Sequence, residues 1–479
     1  MEDAVRTNVP RDAFEFEHVP ETDQSFENAL AKARDGERLA VDDAIELLAT
    51  GTDREGIDLA RKERVLETAD RRRAEVVGDE VTFVANLNNN VTTACNTGCL
   101  FCNFKDTAEN FERASQRDAD GRAAEPRDAT DESHAGFTKT PEESREIVES
   151  ARETGIYEVT SVSGLHPAFA LDDEHLEILE SSDRGDLNYK PADAYVTDPG
   201  TYVDQIAAMS VDGVHLHSMT PEEAYHGRRG TDWTYEEVYG RLKDAGLDSV
   251  PGTAAEILVD EVRSVICPGK IGTDEWVEAM EAAASVGLDT TATIMYGHVD
   301  NEAHRALHLK RIRDLQDRTG AITEFVPLSF VHPDTPLYER GMVEAGATDH
   351  EDELMIAVSR LFLDNVENVQ SSWVKYGDEQ GLKMLSCGAN DFMGTILSEE
   401  ITKRAGGEFG EVRSFAEYVE MITAIGRTPV ERSTDYRRTR VVDPDDPPFG
   451  PELAPAADGT PLVDPETAPP TGDRSPADD

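Results

Sequence analysis

Three of the five cysteines fall within eight residues, in the run Cys95-Asn-Thr-Gly-Cys99-Leu-Phe-Cys102. A C-x3-C-x2-C spacing lets three thiolates converge on corners of one metal cluster, which requires a loop rather than a straight helix or strand. The ligand count says more than the spacing. Electron-transfer iron–sulfur clusters and structural zinc sites are closed by four protein ligands. Three thiolates without a nearby fourth leave one metal corner open, and an open coordination position marks a catalytic centre. Two other readings stand beside this one: a zinc site completed by a histidine, and a chance group of core cysteines. Zinc ligands usually come as C-x2-C pairs, and core cysteines are seldom spaced so tightly. Cys267 and Cys387 are isolated in sequence and read as buried hydrophobes.

A 4Fe-4S cluster with one free iron can be chelated by the amino and carboxylate groups of S-adenosylmethionine, which sets the sulfonium beside a reducing centre. One electron then cleaves a carbon–sulfur bond, giving methionine and a 5′-deoxyadenosyl radical. Phe101, one residue before the last cysteine, either packs on the adenine or only fills its loop.

The elements that must hold this loop begin just before it. Short apolar runs at Val81–Ala85, Ile156–Val162, Ala194–Val196, Val214–His217, Ser249–Gly252, Thr290–Tyr296, Ile322–Phe330 and Val369–Val374 read as strands. Amphipathic helices separate them. Thr140-Pro141-Glu142-Glu143 sets an N-cap, a proline at the first helical position and a capping-box glutamate in register, with Gly155 as the stop. A second helix is expected from a Thr273 cap to Gly287. Repeated strand–helix units predict an α/β fold, a TIM-type (β/α) barrel, with its chemistry where strands end and loops begin. The barrel core is expected over residues 76–440, preceded by a helical region over 1–75. Lys105–Ala135 contains no Val, Leu, Ile or Met and reads as an acidic surface insertion. The Pro- and Asp-rich tail, 441–479, is too poor in apolar residues to offset its ordering entropy and is expected to be disordered.

Composition excludes several functions. The 479 residues carry 98 acidic and 46 basic side chains, a net charge of −52. Phosphate backbones would be repelled, so nucleic acid is not an expected partner. The carboxylates are dispersed rather than blocked, which fits a surface adapted to salt-rich cytoplasm, where cations screen the repulsion. No run is long and apolar enough for a membrane span, and Met1–Asp23 lacks the apolar core of a signal peptide. Clustered cysteines without a disulfide framework fit a reducing cytoplasm.

With the motif in place, the chain resembles the FO synthase large-subunit family of the radical S-adenosylmethionine superfamily, whose product is the deazaflavin chromophore of coenzyme F-420. The resemblance covers about three quarters of the chain, to about Tyr436. Its stretches include Val162-Ser-Gly-Leu-His-Pro167, Pro251-Gly-Thr-Ala-Ala-Glu-Ile-Leu258, Ile266-Cys-Pro-Gly-Lys270, Thr291-Ala-Thr-Ile-Met-Tyr-Gly-His298, Thr323-Glu-Phe-Val-Pro-Leu328, Ser372-Trp-Val-Lys375 and Gly388-Ala-Asn-Asp391. The resemblance implies one 4Fe-4S cluster on Cys95, Cys99 and Cys102, and S-adenosylmethionine. It also implies transfer of the 4-hydroxybenzyl group of L-tyrosine to 5-amino-6-(D-ribitylamino)uracil, releasing 2-iminoacetate. A ring-closing small subunit, itself a radical enzyme, and an electron donor would be partners. An aminofutalosine-type synthase of the menaquinone route is the alternative enzyme. A non-catalytic cluster protein is the alternative from another class, and would take Cys267 or Cys387 as fourth ligand.

The same resemblance places Ser163 and Gly164 where relatives hold the amino group of S-adenosylmethionine, an ordinary strand-end turn being the plain alternative. Glu256 either holds ribose hydroxyls or a substrate amine, or is a solvated carboxylate. His215 and His217, two apart on a strand, share a face and are candidates for the pyrimidine or a proton shuttle; core hydrogen bonding is the plain alternative. His166 and His298 lie beside family stretches at strand ends. Asn390 and Asp391 carry groups suited to a uracil edge or to a helix cap.

Overall fold

The computed structural model describes residues 23–51, 58–105, 136–182, 187–394 and 413–443. Most of the acidic insertion and nearly all of the tail therefore lie outside the described residues.

Seven strands stand side by side in chain order, all parallel: β2 (Asn86–Asn88), β3 (Glu158–Ser161), β4 (His215–Ser218), β5 (Ser249–Val250), β6 (Asp289–Tyr296), β7 (Ile322–Ser329) and β8 (Asn368–Val369). A preceding strand, β1 (Glu80–Val84), runs into β2 across Ala85, whose carbonyl accepts from Tyr157 N and Glu158 N. The ring closes through β9 (Asp391–Gly394). Asn390 N donates to Val369 O at 3.0 Å, Ser371 N donates to Asp391 O at 2.8 Å, and β9 pairs in parallel with β1. Outside this ring, β10 (Thr428–Arg432) lies parallel to β1, and β11 (Thr439–Val441) pairs antiparallel with β10.

Eight positions around the ring match the number expected, but two members differ. Ala194–Val196 is not a strand: Ala192–Ala194 forms one 3-10 turn after Pro191, Tyr195 packs on Ala94 and Ala168, and Val196 is 73% exposed. The run is too short to bury both faces of a barrel strand. Asp391–Gly394 takes the place instead. Val369–Val374 is a strand only at its start, since Trp373 and Val374 are buried in the first turn of the Trp373–Met384 helix.

The helices form where their caps and stripes dictate. Thr140 caps Pro141–Glu153, Glu143 returns the bond to Thr140 N at 2.8 Å, and Ser144, Val148 and Ala151 make the buried stripe. The Thr273–Ser285 helix is capped one residue earlier than expected, at Gly272, because the Thr273 N–H and hydroxyl both donate to Asp260 Oδ1. Helices Asp23–Arg34, Val41–Leu48 and Leu59–Val77 lie on the outside of the barrel, the latter two against Glu302–Thr319 and Asp349–Phe362, and their Phe26, Leu30, Leu47 and Val65 join the same apolar core as the barrel.

Alternation along the strands sends Val159, Leu216, Ala292, Ile294 and Phe325 outward into that core. The other face is polar. Arg432, at the end of β10, reaches Asp391 at 2.6 Å, Glu324 at 3.5 Å and Glu158 at 4.0 Å, side chains from three barrel strands. Tyr436 donates to Glu324 at 2.6 Å. The C-terminal segment thus closes the end of the barrel where these strands begin, and leaves the other end for the site.

Candidate active site

The cysteine loop follows β2 and is fixed from both sides. Leu100 N donates to Ile266 O at 2.8 Å, and Leu100 O accepts from Leu337 N at 2.9 Å. Two glycines let neighbouring backbone lie against it. A Cβ on Gly164 would sit 2.5 Å from Ala94 O, and one on Gly269 would sit 2.5 Å from Thr97 O. These are sub-contact distances to backbone, so both positions require glycine for closeness rather than for conformation.

The loop opens on a cavity of about 240 Å³ at the ends of the strands, which Cys95, Cys99 and Cys102 line together with Phe101, Ser163, Gly164 and Glu256. Seven of the expected residues, from three separate stretches of chain, therefore share one space. Burial pushes the Cys99 thiol well above its ordinary range, with Lys270 opposing; burial also raises Cys102, with backbone hydrogen bonding from Lys105 opposing. Buried thiols held this way are poor free thiolates and suit metal ligation, where the metal carries the compensating charge. Among the described residues no three His, Cys, Asp or Glu side chains converge on a single-ion position. Three soft thiols along the wall of one cavity suit a multi-iron cluster, which Cys95, Cys99 and Cys102 would hold. Cys267 is buried behind the loop and outside the lining; the Cys387 thiol donates to Lys383 O at 3.3 Å at the end of a helix remote from the loop.

Charge on the cavity wall is organised around Lys270. Its Nζ lies 2.6 Å from Glu256 Oε1 and 5.5 Å from the centre of the Phe101 ring. Ala254 and Glu256 take left-handed φ values of 68° and 47°, and Glu256 O is fixed by Met295 N at 2.7 Å. Non-glycine residues held there cost about 1–3 kcal/mol each and gather at functional sites. Ser163 Oγ accepts from Val91 N at 2.7 Å, and Ser163 N donates to Glu223 Oε1 at 3.3 Å. Burial pushes Glu223 up to about 7, against hydrogen bonds from Thr220. Lys270, Glu223, Thr253 and Ser329 were not singled out from sequence. Lys270 stands in the sequence only as the last residue of the Ile266–Lys270 stretch, with no role assigned to it.

The six expected substrate residues lie outside this lining. His215 Nε2 and His217 Nδ1 do share a face, each 2.7 Å from Ser249 Oγ. A serine has one proton to give, so one of the two imidazoles donates to it. Burial depresses His217 to about 3, leaving it neutral. Asp391 accepts from Thr82 and Arg432, each at 2.6 Å. His166 Nδ1 accepts from Ala168 N at 3.0 Å with Tyr195 edge-on at 4.5 Å, and His298 bonds Met295 O and Val299 N. Asn390 bonds Arg360, Val369 N and Asn368. These last three side chains hold turns and strands together.

A parallel barrel whose first loop carries three cysteines on a strand-end cavity defines a protein of the radical S-adenosylmethionine class, whose members take a 4Fe-4S cluster and S-adenosylmethionine. Residues 89–312 match the radical SAM superfamily, and residues 319–444 match the CofH/MqnC C-terminal region. The chain is 75% identical to the 5-amino-6-(D-ribitylamino)uracil–L-tyrosine 4-hydroxyphenyl transferase of Haloarcula marismortui, over 95% of this chain and 98% of the relative. It is 68% identical to the protein of that name from Halobacterium salinarum, over 94% and 96%. Among solved structures, the FeFe-hydrogenase maturase HydG of Carboxydothermus hydrogenoformans aligns with a TM-score of 0.56 at 16% identity, over 87% of this chain and 81% of that one, which shows a common fold. The chain belongs to the 5-amino-6-(D-ribitylamino)uracil–L-tyrosine 4-hydroxyphenyl transferase family of the radical SAM superfamily. No described helix is long and apolar enough to cross a membrane.

Proposed function

We propose that this chain transfers the 4-hydroxybenzyl group of L-tyrosine to 5-amino-6-(D-ribitylamino)uracil, releasing 2-iminoacetate, in the route to the deazaflavin of coenzyme FO. The observation that carries this reading is identity of 75% along nearly the whole of a relative so named, in a chain whose three cysteines line one strand-end cavity. When bound, the cluster and S-adenosylmethionine supply one-electron cleavage of a carbon–sulfur bond and hence a carbon radical. The chain's own residues do the rest. Cys95, Cys99 and Cys102 hold one cluster, Ser163 and Gly164 line the wall beside it, and the Glu256–Lys270 pair offers a carboxylate and an ammonium to polar ligands. The polar groups on the cavity wall, Thr253, Glu256, Lys270 and Thr293, suit a ring and polyol rich in hydrogen-bonding groups. A single cysteine motif in the sequence supports a separate ring-closing partner, and clustered cysteines without a disulfide framework support a reducing, cytoplasmic setting with an electron donor.

The test is product analysis under anaerobic conditions with reductant, S-adenosylmethionine, tyrosine and the diaminouracil. The expected result is 5′-deoxyadenosine together with the benzylated pyrimidine, each lost when tyrosine is omitted. Deoxyadenosine formed at the same rate without tyrosine would reject the substrate assignment.

A further inference from the structure

The cavity that the cysteines share has two unlike walls. One comes from the part of the chain that matches the radical SAM superfamily at large, and it brings the thiols, Ser163 and Gly164, and the Glu256–Lys270 pair. The other is Leu328, Ser329, Phe330, Val331 and Lys375, from the part that matches the CofH/MqnC C-terminal region. Chemistry common to the superfamily is served by the first wall, so recognition peculiar to this branch falls to the second. Among the described residues, Lys375 is the only charged group on that second wall. The two other ammonium groups of the lining are tied to the first wall: Lys270 Nζ lies 2.6 Å from Glu256 Oε1, and Lys105 Nζ donates to Cys99 O at 2.6 Å.

The backbone that carries Lys375 is pinned on both sides. Trp373 Nε1 donates to Gly394 O at 3.4 Å, at the end of β9, and Tyr376 Oη donates to Pro327 O at 3.1 Å, on β7. Lys375 N donates to Ser372 O at 2.8 Å and closes the turn. Gly377 then breaks the helix at φ 77° and ψ 171°, a conformation nearly confined to glycine. Lys375 therefore stands on one fixed turn between β7 and β9, half-buried, rather than on the face of a continuous helix.

We propose that Lys375 binds the α-carboxylate of the amino-acid substrate. Under the transferase reading, on which this rests, that substrate is tyrosine. Of the three ligands, S-adenosylmethionine and tyrosine carry carboxylates, and the diaminouracil carries none. The carboxylate of S-adenosylmethionine goes to the open iron at the cysteine loop, which leaves that of tyrosine for the second wall. A lysine ammonium has three donors, and its bonds to a carboxylate are about twice as strong as neutral ones. Leu328, Phe330 and Val331 on the same wall suit the aromatic ring. Anchored by its carboxylate, the fragment that departs as 2-iminoacetate stays in place while the 4-hydroxybenzyl group is free to move to the acceptor.

The experiment is equilibrium dialysis of labelled L-tyrosine, and of labelled tyramine, which lacks only the carboxylate. Each is dialysed against cluster-loaded protein with S-adenosylmethionine and without reductant, so that nothing turns over. Wild type should bind tyrosine about 30-fold more tightly than tyramine, the worth of a hydrogen bond between charged groups. Lys375→Met should bind tyrosine about 30-fold more weakly than wild type does and tyramine equally well, with iron content and S-adenosylmethionine affinity unchanged. Tyrosine and tyramine weakened alike would show a lysine that only shapes the wall. Weakened S-adenosylmethionine with tyrosine unchanged would give the ammonium to the cofactor. Either result overturns the proposal. Should Lys375→Met fail to fold, Lys375→Gln, which keeps a polar chain, decides by the same criterion. A wild type that binds no tyrosine rejects the transferase reading and this assignment with it. A wild type and a Lys375→Met variant that bind tyrosine equally reject the assignment alone.

Discussion

At the cavity wall an ammonium and a carboxylate are buried together, Lys270 and Glu256, with side chains only 13% and 12% exposed. Pairing offsets the desolvation of both, and removing one partner leaves an uncompensated charge. Lys270→Met should therefore cost about 3–5 kcal/mol in denaturant unfolding of the reconstituted protein, and Glu256→Gln added to it should restore most of the loss. Equal stability of the single and double variants would show that the pair is not coupled. The same pairing logic explains what was and was not legible at this scale. Three thiols spaced along one loop announce themselves, because metal geometry constrains spacing along the chain. Whether a polar side chain meets substrate or protein depends on what tertiary structure brings beside it. Asn390 could have read a base edge, yet its Oδ1 accepts from Arg360 and Val369 N and its Nδ2 donates to Asn368. Asp352 carries no sequence signal at all, since the Tyr296 hydroxyl that donates to it lies on a strand far upstream.

The elements position the cysteine loop by close backbone contact, with little side-chain bulk between. Gly164 N donates to Thr92 O at 2.9 Å, and its missing Cβ leaves room for Ala94 O. Gly164→Ala forces backbone against backbone, which cannot relax by a rotamer change, and overpacking of this kind costs about 1–3 kcal/mol. The loop must move away, so iron should leave to a chelator several-fold faster than from wild type while far-ultraviolet circular dichroism stays the same. Iron retention equal to wild type would mean that the contact is not what holds the loop. Elements with a strong repeating pattern were legible: β6 and β7, eight residues each, and the Thr140-capped helix fall where periodicity and capping put them. Short elements were not. A four-residue strand such as Asp391–Gly394 begins with a carboxylate and ends with glycine, and its strand character comes from pairing with β1 rather than from its own residues. β10 likewise becomes a strand by pairing with β1, and its Arg432 is what the polar end of the barrel is built around.

Over the whole molecule the excess of 52 carboxylates sets how the fold responds to solvent. Paired charges inside, such as Arg305 between Asp300 and Glu351, are shielded from ions and contribute the same at any salt. Exposed pairs such as Arg38 with Asp317 and Asp364 are worth little individually and are themselves weakened by salt. What remains is mutual repulsion among acidic side chains that outnumber basic ones 98 to 46. Repulsion falls as the screening length shortens from about 10 Å at 0.1 M to about 3 Å at 1 M. Because it opposes the compact state more than the expanded one, removing it stabilises the fold. The melting temperature should therefore rise with potassium chloride, most steeply below about 1 M where the screening length changes fastest. A general exclusion effect on apolar burial would instead keep growing with concentration, and sucrose would mimic it without ions. Melting that ignores potassium chloride, or that sucrose raises equally, would mean the acidic surface is not what limits this fold at low salt.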